Sequence, residues 1–443
     1  MDEFGSILES LAVSTKQLKN LQDGLIKDMD SGLKENGKGL KMLPSFLYKV
    51  PTGNEKGTYI ALDLGGTNFR VVQVDLLGNG QIKTEYLKYT IPDELKTGNG
   101  ALLFDFIAEC VKDFMVKQNV KDSKLGFTFS FPCQQLNINK AILMHWAKGF
   151  TAEGVEGKDV VSLLQEALKR NDVKIECVAV INDTVGTLLA HAYQSPNTKV
   201  GVILGTGTNA AYIEQSHLMK KDEFVSSRQG TILVNIEWGA FGDDGHHLPF
   251  TSFDHFLDSK TPKPNQQRFE KMVSGMYLGE IVRLVLIDLI KLKILFHGKI
   301  SEKLNTPYIL KTKYMSDIEN DKSVDFEVCD KMLKDMYIED SNIQERQIVK
   351  SIVQQVGTRS ARLAGAALSG VLLQSHALDS NEEIVIAIDG SLFEHYPDYQ
   401  FRIEAALREL LKDKAKLVKL ELARDGSSVG AALGTVMTLE SNK

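Results

Sequence analysis

The sequence predicts an α/β protein that is built from two related units. Two glycine-rich turns carry this prediction. The first turn, at Gly65-Gly66, lies between apolar runs at 59–64 and 69–75, and the second, at 205–207, lies between runs at 201–204 and 208–214. Apolar, β-favouring residues on both sides of a glycine turn indicate a β-hairpin. The same pattern about one domain further along indicates a duplicated unit.

Both turns have the composition of a phosphate site. Glycine lets backbone N–H groups approach an anionic oxygen, and Thr67 and Asn68 add side-chain donors in the first turn. Asp63 beside that turn would repel a bare phosphate, so we expect it to hold Mg²⁺ through water. An ordinary tight hairpin with a solvated aspartate explains the first turn almost as well. The second turn favours the view that both grip one polyphosphate.

Composition excludes several classes of protein. The chain has 443 residues, of which 43% are hydrophobic and 25% are charged, which is typical of a globular protein with a large core. A net charge of -6 argues against nucleic-acid binding. The four cysteines stand apart without metal-site spacing, which indicates free thiols in the cytoplasm. Neither a signal peptide nor an 18-residue apolar run is present, so we expect no secretion and no membrane insertion.

The elements are predicted in chain order. A capping box at 14–17, with apolar residues at helical spacing behind it, predicts a helix that ends near Gly32. Further strands are expected at 82–90, 125–131, 175–181 and 384–388. Helices are expected at 102–116, 160–169, 281–295 and from 425–432 to about 440. A loop is expected through His145 and Trp146, and an acidic surface segment at 320–340.

Two segments partly match nucleotide-binding motifs but lack the structural context that those motifs require. The second turn contains G-x-G-x-x-A (Gly205, Gly207, Ala210), but that dinucleotide fingerprint must open a helix, and an alternating strand pattern follows here. Residues 32–38 spell G-x-x-x-x-G-K, but Gly39 replaces the required Ser or Thr and a helix precedes the segment. We therefore interpret 32–38 as a solvated loop.

Several blocks resemble the hexokinase family in sequence, order and spacing. They are LDLGGTNFRV (62–71), FTFSFP (127–132), WAKGF (146–150), INDTVGT (181–187), GTGTNAAY (205–212), NIEWGAFGD (235–243), FEK…GMYLGEIVRLVL (269–286), DGS (389–391) and DGSSVGAAL (425–433). The resemblance implies the two-lobed, actin-like ATPase fold, a duplicated ribonuclease-H-like arrangement. It places a cleft between a small domain, 52–181 plus 428–443, and a large domain, 1–51 plus 182–427.

The resemblance also implies the reaction, which transfers the γ-phosphoryl group of ATP to the 6-hydroxyl of a hexose, with Mg²⁺. Asp183 corresponds to the family's general base. A sugar hydroxyl is a poor nucleophile, so a positioned carboxylate that accepts its proton contributes on the order of 10²–10⁴ in rate. Alignment and charge stabilisation supply the rest, as in other phosphoryl transfers. In isolation, Asp183 would be better explained as the cap of the helix that starts at Thr184, and its place in the family block INDTVGT favours the catalytic role.

A hexose is a ring of hydroxyls, so its site needs many directional polar groups. By resemblance these groups are Ser130, Lys148, Asn182, Asp183, Asn209, Asn235, Glu237, Gln267 and Glu270. Lys148 also adds positive charge near the transferred group, as a second catalytic residue. The family usually has Thr where this sequence has Ala147, which puts sugar affinity and epimer discrimination in question but not the reaction class. Trp146 and Trp238 fall inside sugar-site motifs, so we expect sugar binding and cleft closure to change their fluorescence.

The nucleotide side is implied in the same way. By resemblance, the phosphate and adenosine contacts of ATP are Asp63, Gly65, Gly66, Thr67, Asn68, Gly205, Thr206, Gly207, Thr358, Ser391, Gly426 and Ser427. Ser428 replaces a family glycine, so we expect altered adenine affinity. Arg70 is equally well explained as a charged residue that supports the cleft and as a phosphate contact.

The sequence is compatible with other functions on the same fold. The nearest alternative is a kinase for another sugar. A sugar sensor without turnover is disfavoured by the intact Asp183 and both turns, and an actin- or chaperone-like ATPase gives no reason for the polar residues around Glu237. Glucose is the expected hexose. The preferred hexose, inhibition by product or metabolites, association into a homodimer and attachment to an organelle are not determined by the sequence.

Overall fold

A computed structural model describes residues 3–65, 69–120, 123–146 and 148–441, the last without its side chain. Its strands, in chain order, are β1 (Leu43–Pro44), β2 (Lys56–Leu64), β3 (Phe69–Gly78), β4 (Gln81–Tyr89), β5 (Lys124–Phe129), β6 (Cys133–Asn137), β7 (Lys140–Leu143), β8 (Glu176–Ile181), β9 (Thr198–Leu204), β10 (Thr208–Gln215), β11 (Thr231–Asn235), β12 (Ile384–Asp389) and β13 (Val418–Leu422).

The helices, in chain order, are α1 (Glu3–Leu11), α2 (Thr15–Lys34), α3 (Asp93–Thr97), α4 (Gly100–Lys117), α5 (Val160–Arg170), α6 (Asp183–Gln194), α7 (Glu223–Ser226), α8 (Ser252–Lys260), α9 (Arg268–Val273), α10 (Gly275–Lys291), α11 (Thr312–Asn320), α12 (Glu327–Asp335), α13 (Ile343–Gln374), α14 (Ser391–His395), α15 (Tyr399–Leu411) and α16 (Gly426–Ser441). Short 3-10 turns occur at Ser216–Leu218, Trp238–Ala240, Phe296–Gly298, Ala377–Asp379 and Lys412–Leu417.

The two main sheets share one topology. The first has the order β4-β3-β2-β5-β8, in which an antiparallel meander of three strands is extended by two parallel strands. In the second sheet, β11-β10-β9-β12-β13 repeats this order and these directions, and β1 adds an edge strand beside β11. The duplication predicted from the two glycine turns is therefore present as two related α/β units.

Most predicted elements are confirmed. Both glycine turns join antiparallel strands, β2 to β3 and β9 to β10. Helix α2 begins at the predicted capping box, in which the Ser14 side chain accepts from Gln17 N–H, and it ends at Lys34, two residues beyond the predicted end. The strand expected at 125–131 is shorter, because β5 ends at Phe129. The rejection of the dinucleotide fingerprint is confirmed, since β10 and not a helix follows Gly207.

Two elements differ from expectation. The region expected to be a loop contains the hairpin β6–β7, in which β6 (CQQLN) is mainly polar and β7 (KAIL) has only four residues, so neither gave a strand pattern. It is held by Gln135, whose Nε2 donates to the carbonyl oxygen of Val180 at 2.8 Å and to that of Ser45 at 3.3 Å. The acidic segment 320–340 is not only surface. It contains α12, which buries Cys329, Met332 and Leu333.

The core continues across the two units. Each sheet has its own large apolar cluster, and a third cluster combines side chains from both sheets with α6 and α16. These two helices cross at glycine, because a Cβ on Gly430 would lie 2.2 Å from Gly186 Cα. Glycine is required at such a close approach of two backbones. The helix that begins at Asp183 is therefore packed directly on the last helix of the chain.

The domain boundaries stay a prediction. The strands of the first sheet fall within 52–181, and those of the second fall within 1–51 and 182–427. Among the residues that the structure describes, no helix is both long enough and apolar enough to cross a bilayer.

Candidate active site cleft

A cleft of about 290 Å³ opens where strands of both sheets end. Nine of its ten lining residues lie at or next to the carboxyl ends of five strands, β2, β5, β8, β9 and β12, and the tenth, Ser427, lies in the first turn of α16. The ten residues are Asp63, Ser130, Asp183, Ile203, Gly205, Thr206, Asp389, Gly390, Ser391 and Ser427. The carboxyl ends of strands are where open α/β sheets bind ligands. Seven of these ten residues are among those predicted from the sequence for the sugar, the nucleotide or the catalytic step.

Asp183 is the first residue of α6, immediately after β8. Asn182 caps the helix, because its Oδ1 accepts from Thr184 N–H at 2.9 Å. The Oδ1 of Asp183 accepts from the same N–H at 2.9 Å. Its Oδ2 has no hydrogen-bond partner among the described residues. The cap therefore fixes the position of Asp183 while leaving one carboxylate oxygen available to the cleft.

A cluster of amides and a carboxylate lies next to this helix start. Asn209 donates through Nδ2 to Asn235 Oδ1 at 2.8 Å, and Asn235 donates through its own Nδ2 to Glu237 Oε1 at 2.9 Å. The backbone N–H of Glu237 donates back to Asn209 Oδ1 at 3.0 Å. Thr184 joins the cluster to α6, since its Oγ1 accepts from Asn209 at 3.0 Å and donates to Asn182 Oδ1. The structure thus brings together four residues that the resemblance implies for sugar binding, and Thr184 links them.

Gln267 and Glu270 approach this cluster from α9. Glu270 Oε2 accepts the backbone N–H of Thr208 at 3.0 Å, so this carboxylate lies against the second glycine turn. Burial, assisted by the negative charge of Glu237, raises the pKa of Glu270 above its ordinary value. Gln267 immediately precedes α9 in a left-handed conformation with φ 56°. Its side chain lies against Gly239, where a Cβ would meet Gln267 Oε1 at 2.2 Å.

Ser130 lines the cleft from the first unit, and Lys148 contacts its backbone. Lys148 Nζ donates to the carbonyl oxygen of Ser130 at 2.6 Å. Trp146 stacks on Phe150 with centroids 5.3 Å apart, and Trp238 is fully buried with Nε1 donating to Thr208 Oγ1 at 3.0 Å. Both tryptophans are core residues whose backbone neighbours belong to the predicted sugar site.

The first glycine turn is flanked by an ionic network. Arg70 donates through Nη2 to Asp63 Oδ2 at 2.6 Å and through Nη1 to Asp425 Oδ1 at 2.8 Å. Ser427 Oγ donates to Asp63 Oδ2 at 2.9 Å. Arg70 therefore ties the first hairpin to the turn that opens α16. Of the two explanations left open for this arginine, support of the cleft is the one for which the structure gives contacts.

The second glycine turn is held mainly by backbone groups. Gly275 N–H donates to the Gly205 carbonyl oxygen at 2.8 Å, and Met276 N–H donates to that of Thr206 at 3.2 Å. A Cβ on Gly207 would lie 2.8 Å from Glu270 Oε2. The start of α10 and the Glu270 carboxylate therefore enclose this turn, and they connect it to the predicted sugar residues.

Asp389 is a cleft residue that the sequence prediction named only as part of a turn. It ends β12 and lines the cleft together with Asp63 and Asp183. Burial, together with the negative charge of Asp183, raises the pKa of Asp389 to about 6. Its place at the end of a buried apolar strand, as for Asp63, was the signal that could have identified it.

Some predicted residues lie elsewhere or are not described. Thr358 is on α13, and neither the cleft nor the amide cluster, as far as the chain is described, includes it. Gly426 is buried against Thr187 at the start of α16. Ser428 is only 1% exposed and its hydroxyl has no partner in the described part of the chain, so its side chain is packed in the interior. Gly66, Thr67, Asn68 and Ala147 lie outside the described residues.

Comparison with known proteins gives a consistent answer. Two family models, both described as hexokinase, match residues 3–193 and 199–437. A hexokinase from Kluyveromyces lactis is 38% identical over 99% of this chain and 92% of its own length. Hexokinase-1 from Arabidopsis thaliana is 40% identical over 96% of this chain and 88% of its own length. Hexokinase-2 from Rattus norvegicus is 42% identical over 97% of this chain, which spans 47% of that protein.

The solved structures agree. A hexokinase from Schistosoma mansoni complexed with glucose has a TM-score of 0.89, 38% identity and 98% coverage of both chains. A second hexokinase crystal structure has a TM-score of 0.85, 34% identity and the same coverage. The fold is therefore the two-lobed, actin-like ATPase fold with a cleft between the lobes. The chain belongs to the hexokinase family and is an enzyme of ATP-dependent hexose phosphorylation.

Proposed function

We propose that this hexokinase transfers the γ-phosphoryl group of ATP to the 6-hydroxyl of glucose or a related hexose, with Asp183 as the general base. The observation that carries the proposal is the shared cleft, in which Asp183, Ser130 and the second glycine turn line one space. A base must lie within hydrogen-bond reach of the proton that it accepts. An alcohol between Ser130 and Asp183 would meet that condition.

The local structure supports the role of Asp183. One carboxylate oxygen is bonded to Thr184 N–H, so the side chain has a fixed orientation. The other oxygen is available to accept the hydroxyl proton as the phosphoryl group arrives. Such a base contributes on the order of 10²–10⁴ in rate, while alignment of the two substrates contributes further.

Hexose recognition is assigned to groups from both lobes. Ser130 and Lys148 belong to the first unit, whereas Asn209, Asn235 and Glu237 form the bonded cluster of the second unit. Amides both donate and accept, and a carboxylate accepts from hydroxyls, so the set matches a ring of hydroxyl groups. A relative with the same fold and 38% identity was solved in complex with glucose, which supports glucose as the hexose.

Contacts from two lobes also give a reason for closure. Lys148 is engaged with the Ser130 carbonyl oxygen and lies on the lobe opposite Glu237. A hexose that bonds to both sides would draw the lobes together, exclude water and align ATP only when the sugar is present. Closure of this kind suppresses ATP hydrolysis, because water alone cannot bridge the lobes. We expect a change in tryptophan fluorescence on sugar binding and a much smaller change with ATP alone.

The residues present fit Mg²⁺ bound together with ATP. Asp63 and Asp389 line the same cleft, and Mg²⁺ is commonly held by one or two carboxylates together with phosphates and water. Among the described residues, no group of three or more His, Cys, Asp and Glu side chains is placed to hold a metal ion. When bound, the ion would neutralise charge on the β- and γ-phosphate oxygens. Asp63, oriented by Arg70 and Ser427, would hold it through water.

We place the enzyme in the cytoplasm, because Cys110, Cys133, Cys177 and Cys329 are all free thiols. Sugar 6-phosphate produced there would enter glycolysis. Association into a homodimer is a separate question that size-exclusion chromatography with light scattering would answer.

ADP release measured with a panel of hexoses at fixed Mg-ATP tests the proposed function. We expect rapid turnover with glucose, little without sugar, and none above that background with 6-deoxyglucose, which lacks the attacked hydroxyl. Equal ADP release without sugar would instead indicate an ATPase. Glucose binding without turnover would indicate a sensor, and a preference for a different sugar would correct the substrate.

A further inference from the structure

Asp243 connects the two segments that carry the proposed hexose carboxylates. It follows the 3-10 turn Trp238–Ala240, which begins directly after Glu237. Its Oδ2 accepts the backbone N–H of Gln267 at 3.1 Å, and its Oδ1 accepts that of Arg268 at 2.9 Å. One carboxylate thus uses both oxygens to hold the start of α9, the helix that carries Glu270.

The held segment has a conformation that needs such support. Gln267 is left-handed with φ 56°, a region that side-chain-bearing residues enter at a cost in conformational energy. Its side chain and Glu270 also contact the turn after Glu237, because a Cβ on Gly239 would meet Gln267 Oε1 at 2.2 Å and Glu270 Cβ at 3.3 Å. Two backbone N–H groups donate to the charged Asp243 carboxylate and hold the start of α9 in this conformation. Hydrogen bonds to charged groups are stronger than those between neutral groups.

The opposite side of the segment is fixed independently. Lys271 is buried, and its Nζ donates to Asp258 Oδ1 at 2.6 Å, to Thr261 Oγ1 at 2.8 Å and to the Lys263 carbonyl oxygen at 2.8 Å. Asp258 also accepts the backbone N–H of Asn265 at 3.0 Å. The loop before Gln267 is therefore closed around one ammonium group, and Asp243 fixes the point at which the loop becomes α9.

We propose that Asp243 is a positioning residue for the hexose, which holds Gln267 and Glu270 at the correct distance from Glu237. This inference rests on the proposed function, because it takes Glu237, Gln267 and Glu270 as hexose ligands. Asp243 itself does not touch the sugar. Its effect is on how well the hexose site is formed before the sugar arrives, and preorganisation of this kind determines affinity more than the rate of chemistry.

The Asp243→Asn substitution isolates this effect. Asparagine has nearly the same shape, but its amide nitrogen is a donor, so one of the two backbone N–H groups would face another donor. The start of α9 would lose one bond and the charge on the other, and Gln267 and Glu270 would relax away from Glu237.

A merely structural role predicts a lower melting temperature for Asp243→Asn. The positioning role does not, because the two N–H bonds to Asp243 hold the start of α9 while burial makes the charge itself costly. Burial raises the pKa of Asp243 from the ordinary 3.8 to about 6, despite the two N–H bonds and the positive charges of Lys271 and Arg268. A carboxyl group with a raised folded-state pKa favours folding below the unfolded pKa, and that contribution is lost as pH rises through the folded pKa. At pH 7.5 the neutral asparagine is therefore expected to leave the melting temperature unchanged or higher.

Steady-state kinetics at pH 7.5 on the full chain tests the proposal, with glucose KM, Mg-ATP KM and kcat measured for each variant. We expect Asp243→Asn to raise the glucose KM about tenfold or more, with Mg-ATP KM within twofold and kcat changed much less than glucose KM. Asp244→Asn is the matched control, because Asp244 is exposed and its one side-chain hydrogen bond within the described part of the chain is to His246 N–H, in the same turn. It should leave all three constants unchanged.

Asp243→Ser provides a second variant in case the asparagine variant does not fold. Its hydroxyl oxygen is attached one bond closer to the backbone than the carboxylate oxygens and falls short of both N–H groups, so its glucose KM should rise at least as much as that of Asp243→Asn. Unchanged glucose KM in folded variants, or equal changes in glucose KM and Mg-ATP KM, would overturn the proposal. Failure of the wild-type enzyme to phosphorylate glucose would instead contradict the proposed function, so the two failures are distinguishable.

Discussion

The two glycine hairpins have the same topology but are held in place by different forces. Beside the first turn, ion pairs between side chains hold the hairpin in place. Arg70 pairs with Asp63 and Asp425, and the Asp425 side chain is 54% exposed. The second turn is held by backbone bonds from Gly275 and Met276, with the Glu270 carboxylate on Thr208 N–H.

The difference indicates a division of labour. The first hairpin is joined to the α16 turn, for which we propose a nucleotide contact, so changes there should affect the KM for Mg-ATP. The second hairpin contacts Glu270, so we propose that it contributes to the binding of both substrates. A partly exposed ion network is also weakened by salt, whereas backbone bonds are not. Duplication supplied the scaffold, and the surroundings of each turn gave it a separate role.

The largest effect is expected at Asp183, which lies between the two hairpins and belongs to neither. Asp183→Ala removes the proposed base, so kcat should fall by at least about a hundredfold. Asp183→Asn keeps the shape of the side chain but not its basicity, so its kcat should fall by a similar factor. Stopped-flow or steady-state ADP release measures kcat, and circular dichroism checks the fold.

Asp335→Asn, an exposed aspartate at the end of α12, is the control and should behave as wild type. Near-normal turnover in folded Asp183→Ala would remove the assignment of this residue as the base.

A glycine pair in the second turn tests whether this hairpin serves both substrates. A Cβ on Gly207 would lie 2.8 Å from Glu270 Oε2, whereas the nearest atom of the described residues to a Cβ on Gly205 would be Gly390 Cα at 3.5 Å. Gly207→Ala should displace Glu270 and raise glucose KM by about tenfold or more, the loss expected for hydrogen bonds to a charged group. Gly205→Ala should leave glucose KM within about twofold. If both variants raise glucose KM equally, the contact between Gly207 and Glu270 does not couple the second turn to the hexose site.

Arg70→Met tests the first hairpin. It leaves Asp63 and Asp425 as uncompensated negative charges beside the site of an anionic nucleotide, so Mg-ATP KM should rise about tenfold, which corresponds to about 1.4 kcal/mol. Glucose KM should change little. Arg170→Met, which breaks a surface pair with Asp105 in the same unit, is the control. A rise in glucose KM as large as the rise in Mg-ATP KM would show that the two turns are not separate in function.

The smallest effect is expected at Ser428, beside the first hairpin. Its hydroxyl is buried without a partner in the described residues, and an unsatisfied buried polar group costs about 1–3 kcal/mol. Ser428→Ala should therefore raise thermal stability slightly and leave Mg-ATP KM unchanged. Differential scanning fluorimetry measures the melting temperature of Ser428→Ala, with Ser427→Ala as the comparison variant. A lower melting temperature for Ser428→Ala would contradict the interpretation.

The sequence predicts those features that depend on local pattern. The capping box of α2 is contained within four residues, and both hairpins alternate around glycine. The residues of the amide–carboxylate cluster could be predicted only because they lie within family motifs. The sequence alone does not predict that Thr184 joins Asn182 to Asn209.

Other parts depend on contacts between distant segments. Asp243 acts through the backbone of Gln267 and Arg268, and backbone groups have no sequence signature. The left-handed conformation of Gln267 gives no signal either, because glutamine is not a residue that usually indicates it. The β6–β7 hairpin was not predicted because both strands are short, β6 is mainly polar, and the hairpin is held by the hydrogen bond from Gln135 to the Val180 carbonyl oxygen. Tertiary contacts override local preference in such places.

The most direct test of the account is a crystal structure with glucose and a non-hydrolysable ATP analogue bound together. The account predicts an Asp183 carboxylate oxygen at about 2.6–3.2 Å from the glucose 6-oxygen, with the γ-phosphate on the opposite side of that oxygen between the two glycine turns. A glucose 6-oxygen bonded to another group, with Asp183 out of reach, would contradict it.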